Sequence, residues 1–147
     1  MDYGNDKNST FFRFEDLRIY HKALAYAKWV SDATNSHAGE HAKSLLVRFN
    51  TAAQNIPMNI AEGSARNKSQ FIYYLKMAKS AVRECLVYTT LSHNTGLFED
   101  TEEQDSRNQL MEMTKMIGAL ISSLQRNTGR RDDDDNDSFE SGNISDD

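Results

Sequence analysis

The 147-residue sequence holds one cysteine, one proline and one tryptophan. No apolar run approaches the ~18 residues that a membrane-spanning helix requires, so no membrane association is expected. The lone Cys85 excludes an internal disulfide and any thiolate metal cluster within one chain. A single proline excludes collagenous and proline-rich chains, and the seven glycines are too scattered to form a phosphate-cradling loop. The opening residues, MDYGND, lack the basic-then-apolar order of an export signal, and a cytoplasmic location is the corresponding expectation. Sustained strand-like alternation is missing as well, which leaves an all-helical reading.

Acidic charge is present in one place above all. Residues 132–147 carry eight carboxylates and no Lys or Arg, whereas residues 1–131 hold all 17 bases against 14 acids. The net charge of −5 therefore conceals a body of about +3, and the overall acidity says little about that body's partners. The segments 1–12 and 128–147 are polar and aperiodic and are expected to be disordered, leaving residues 13–127 as the folded domain.

Within that domain four segments show helical periodicity. The first, about residues 14–35, has two apolar rows, Leu17, Tyr20, Leu24, Ala27 and Ile19, Ala23, Tyr26, Val30, a surface wide enough for more than one neighbour. The second repeats through Leu45, Phe49, Ala52 or Ala53, Ile56 and Ile60. Pro57 lies inside that repeat and predicts a bend, not a break, since the period continues past it. Residues 63–68 read as a turn, with Asn67 or Ser69 placed to cap a third helix carrying Phe71, Leu75, Ala78, Val82 and Cys85. After the stop at Asn94-Thr95-Gly96, Thr101-x-x-Gln104 has capping-box spacing ahead of Leu110, Met113, Ile117, Leu120 and Leu124. Four such helices on short connections predict an antiparallel up-down-up-down four-helix bundle.

Two polar constellations stand out. Thr51, Asn55, Asn59 and Glu62 share one helix face, as a ligand site or, more simply, as a hydrogen-bonded seam between helices or subunits. A hairpin turning near Arg66 would set Arg48 opposite Glu84 and Glu62 opposite Gln70. Lys76, Lys79 and Arg83 form a basic row with Lys68 near its start, either a phosphate-contacting surface or an ordinary solvated face. His37 and His41 stand four apart without an HExxH or a third ligand, and His21 and His93 have no nucleophile nearby in sequence. No metal, cofactor or catalytic residue is therefore expected. Cys85 reads as a small buried hydrophobe.

Phe14-Glu15-Asp16-Leu17, Tyr20 and Lys22, and above all Asn55-Ile56-Pro57-Met58-Asn59-Ile60-Ala61-Glu62-Gly63, resemble the four-helix-bundle proteins encoded by intervening sequences within bacterial 23S ribosomal RNA genes. Ala78 and Glu84 agree with that pattern. Asn55 replaces the serine usual before Ile-Pro, and Asn50-Thr51 stands where a basic pair is usual. The resemblance implies a non-enzymatic subunit that assembles into a ring, commonly a homopentamer, with an association with RNA inferred from gene location. It extends to the accessory variability determinant of diversity-generating retroelements, which implies as the alternative a scaffold docking a protein such as a reverse transcriptase. On this reading Lys68, Lys76, Lys79 and Arg83 are the nucleic-acid contacts, and Asn55, Pro57, Asn59, Glu62, Gly63, Arg48 and Glu84 are structural.

Overall fold

The computed structural model describes residues 11–36 and 39–131. The segments expected to be disordered lie largely outside those residues. A short 3-10 turn, Arg13–Asp16, leads into α1 (Arg18–Asn35), followed by α2 (Glu40–Ser64), α3 (Lys68–Asn94) and α4 (Asp100–Arg131). No strand occurs among the described residues. Each helix packs against two others, in the cyclic order α1, α2, α3, α4. Numbers that rise on one helix fall on its neighbour: Tyr26 meets Ser106 and Lys22 meets Glu112, while Phe49 stacks on Tyr88 and the backbone of Gly63 abuts Tyr74. That descending register is what antiparallel neighbours produce.

The apolar rows read from the sequence are the ones that pack. Ile19, Ala23, Tyr26 and Val30 of α1, Phe49, Ala53, Ile56 and Ile60 of α2, Leu75, Ala78 and Cys85 of α3, and Met113 and Ile117 of α4 are buried together. The other row of α1, Leu17, Tyr20, Leu24 and Ala27, is only partly covered, and Leu24 is exposed. Phe98, between α3 and α4, closes one end of the core against Trp29 and Phe49, with ring centroids 5.8 and 5.9 Å away. Its placement depends on Gly96, whose φ of 85° turns the chain so that the amides of Leu97 and Phe98 both donate to the Ser92 carbonyl.

Several boundaries differ from the sequence reading. The first helix begins at Arg18, four residues later than expected, because residues 13–16 wind as a 3-10 turn. α2 runs without interruption through Pro57 and one turn beyond Ile60, so Gly63 is helical and not part of the turn. Asn67 does cap α3, its Oδ1 accepting from the Gln70 amide at 2.9 Å. The cap on α4 is displaced by two residues from Thr101-x-x-Gln104: the Glu102 carboxylate accepts from the Glu99 amide at 2.8 Å. The spacing is that of a capping box, but the first partner supplies only its backbone.

One polar node crosses the core. The Ser106 hydroxyl, fully buried, lies 2.8 Å from the Tyr26 hydroxyl and 2.7 Å from that of Thr89, tying α1, α3 and α4 together at one level. Nothing in the sequence marks this triad, because Tyr26 and Ser106 are 80 residues apart. Ser106→Ala should cost about 2 kcal/mol in urea denaturation, since it removes the shared partner of two buried hydroxyls. A loss above ~3 kcal/mol would mean that the serine supports more than these two hydroxyls.

Candidate nucleic-acid interface

The Asn55-to-Gly63 string explains itself residue by residue as packing. Ile56, Pro57 and Ile60 are buried against the core. The Asn59 amide turns back to donate to the Asn55 carbonyl at 2.8 Å, and Thr51 likewise bonds the Val47 carbonyl at 3.0 Å. Glu62 accepts from the Arg66 guanidinium, with Nε 3.1 Å away, and Arg66 then covers the ring of Tyr74 at 5.3 Å. That hydrogen bond to Glu62, followed by the nearby Tyr74 and Glu62 charges, holds the Arg66 pKa above its ordinary value. Gly63 provides the contact that brings α2 onto α3: a Cβ there would stand 2.6 Å from the Tyr74 Cβ and 3.0 Å from the Phe71 ring. The string thus forms the elbow between α2 and α3, and its polar row is occupied with its own helix.

The register of this elbow overturns the expected facing pairs. With Gly63 against Tyr74 and Phe49 against Tyr88, positions opposite each other run several residues higher on α3 than a turn centred on Arg66 implies. Arg48 and Glu84 are both exposed and form no ion pair among the described residues, and Glu62 bonds Arg66 in place of facing Gln70. Side-chain fit at Gly63 decided the register, and counting from the turn could not detect it.

α3 carries the charge that matters. It contains Lys68, Lys76, Lys79 and Arg83 and a single carboxylate, Glu84. Among the described residues none of the four bases has a carboxylate within ion-pair distance, whereas Lys22, Lys28, Arg66 and Arg107 do. Helical geometry places the four on the flank of α3 that faces α4. The contacts agree: Lys79 Nζ approaches Gly118 of α4 to within 4.0 Å of where a Cβ would be, and Thr90, on the same flank, accepts from Arg107 at 3.0 Å. The absence of a side chain at Gly118 leaves room for the Lys79 ammonium beside α4. On the other flank, toward α2, an exposed stripe runs Tyr73, Met77, Val87 and Leu91 at spacings of four, ten and four, one face of the helix. The outer surface of α3 is therefore split lengthwise into a basic half and an apolar half.

The profile of a family described as 23S rRNA-intervening sequence protein matches residues 15–119, well over half of the chain. The chain belongs to that family. No curated protein matches it significantly. The matched span covers α1 to α3 and most of α4, including the elbow and all four α3 bases, and stops before the acidic segment. Membership of the 23S rRNA-intervening sequence proteins accords with the four helices.

A second cluster lies where α3 meets α4. His93 Nε2 is 2.8 Å from Asp100 and its Nδ1 is 3.6 Å from Glu103, whose other oxygen is held by Arg107 Nε at 3.2 Å. Three donors of this kind can hold a divalent ion. Here the imidazole already bonds Asp100 directly, and Glu103 is shared with a guanidinium, so the arrangement serves to close the α3–α4 turn. Cys85 is fully buried in the core row, and its thiol is pushed up to about 12 by burial first and the neighbouring Glu84 charge second. A thiol so far from ionisation is no nucleophile at neutral pH. No helix of the described residues is long and apolar enough to cross a membrane.

Proposed function

We propose that this protein is a non-enzymatic, ring-forming bundle of the cytoplasm that binds structured ribosomal RNA through Lys68, Lys76, Lys79 and Arg83. One observation carries the reading: four cations, none with a carboxylate in ion-pair distance among the described residues, lie on one flank of α3, a helix that holds a single carboxylate. Cations free of internal partners are available to displace counterions from phosphates, and family membership supplies the ribosomal RNA context. The apolar half of α3, with Val47 and Met58 exposed on α2, is the surface through which subunits would associate, as the resemblance to pentameric relatives implies.

The test is a gel-shift titration of 23S ribosomal RNA fragments over a salt series with the full-length protein and with Lys76→Gln/Lys79→Gln/Arg83→Gln. The parent should bind with an affinity that falls steeply with salt, and the triple variant should bind at least tenfold more weakly with a salt dependence reduced by about 3 in slope. Equal binding by the two proteins would remove α3 from the interface. Sedimentation equilibrium checks the assembly: a ~17 kDa monomer at micromolar concentration refutes the ring.

A further inference from the structure

The bundle is electrically polarised along its axis. Residues 99–105, at the start of α4, contain five carboxylates and no base. At the other end of α4 stand Arg126, Arg130 and Arg131. Because Lys79 lies beside Gly118 while His93 lies beside Asp100, Lys68 and the first turns of α3 run alongside those last turns of α4. Arg66 and Lys68 thus lie at the end of the molecule where α4 finishes.

The acidic segment leaves from that same end. Its first residue follows Arg131, the last residue of α4, and it carries Asp132, Asp133, Asp134, Asp135, Asp137, Glu140, Asp146 and Asp147. Sixteen residues reach up to about 50 Å when extended, whereas Lys68 to Arg83 spans only about 22 Å of helix. Reach is therefore no constraint. The segment also contains Phe139 and Ile144, apolar groups among the acids, and the α3 bases adjoin the exposed Tyr73 and Met77. Charged and apolar groups are thus present on both sides of the proposed contact.

We infer that residues 132–147 dock in cis on the basic flank of α3, as an internal polyanion competing with RNA for Lys68, Lys76, Lys79 and Arg83. The competition half of this inference rests on the RNA reading above; the contact itself does not. Docking of this kind is electrostatic and yields to salt or to a ligand of higher charge density, so the segment sets a threshold that short or weakly charged RNA does not cross.

Carbodiimide cross-linking of the full-length protein reads the contact directly, since it joins only carboxylates and lysines that already touch. Links from residues 132–140 to Lys68, Lys76 or Lys79 within one chain are expected. An equimolar mixture of 14N- and 15N-labelled chains separates links within a chain from links between chains. In parallel, a fluorescein-labelled 20-mer of polyuridine is titrated with the parent and with the full-length variant Asp132→Asn/Asp133→Asn/Asp134→Asn/Asp135→Asn/Asp137→Asn. The variant should bind about tenfold more tightly at 50 mM salt, and the difference should shrink below about twofold at 0.5 M. Absence of links to α3, or links only between differently labelled chains, overturns docking in cis. Links within the chain with no RNA binding by either protein leave the contact standing and refute the RNA reading instead.

Discussion

Gly63→Ala is expected to destabilise the folded chain by about 3 kcal/mol, although alanine is the better helix former. Gly63 is helical, and intrinsic propensity alone would favour alanine there by about 1 kcal/mol. The opposing effect is steric. A Cβ at this position would sit 2.6 Å from the Tyr74 Cβ, an atom fixed to the α3 backbone, so no rotamer change relieves the overlap. α2 and α3 must separate, which also loosens Phe71 and the Arg66 contact with Tyr74. Overpacking of this kind typically costs 1–3 kcal/mol, occasionally more, and here it must also outweigh the propensity gain. Urea denaturation of parent and variant checks it. A variant as stable as the parent, or more so, would show that the elbow tolerates a wider α2–α3 spacing.

Alkaline pH should weaken the fold through Cys85 by about 3 kcal/mol between pH 8 and pH 11. The thiol ionises near 9 in an exposed chain and near 12 in the core, because burial disfavours the thiolate and Glu84 adds a like charge. The folded value is the raised one, so the stabilising contribution is complete below pH 9. As the pH rises from 9 toward 12 the unfolded chain releases a proton that the folded chain keeps, and each unit costs about 1.4 kcal/mol. Tyr26 acts in the same sense from its ordinary value of 10.0 upward, again chiefly through burial. Cys85→Ala isolates the thiol. At pH 8 the variant should be the less stable of the two by a small margin, and by pH 11 the parent's lead should have reversed, its stability falling about 3 kcal/mol further than the variant's. Parallel declines of the two chains would place the thiol in contact with solvent.

Local pattern was enough for the four helices because burial and helical period are both properties of neighbouring residues. Phe71, Leu75, Ala78, Val82 and Cys85 recur at helical spacing and are all buried, and Asn67 precedes its helix with a side chain that can cap only one way. The basic row on α3 was equally legible, since spacings of three and four put its members on one flank. Of two places where the reading failed, one was local and one required two distant segments to be compared. The α4 cap shifted because Glu102 reaches a backbone amide, which any residue at position 99 would supply. The expected pairing of Arg48 with Glu84 failed because register is set by which side chains interlock, not by the position of the turn.

The sequence by itself determined the class of the protein: four amphipathic helices, a proline compatible with the helix around it, a basic α3 and an acidic end. Only the tertiary structure decided which residues those features bring together. It turned the recognisable Asn55-to-Gly63 string into an elbow, with Glu62 spent on Arg66 and Gly63 on Tyr74, and it placed Ser106 between Tyr26 and Thr89. It also left the α3 bases without a carboxylate in ion-pair distance among the described residues, with Lys68 at the end of α3 that lies beside the last turns of α4. The reason is physical. Periodicity reports which face of a helix is buried, whereas the partner of each side chain depends on the axial offset between helices, and that offset is fixed by a few close contacts whose members are far apart in the chain.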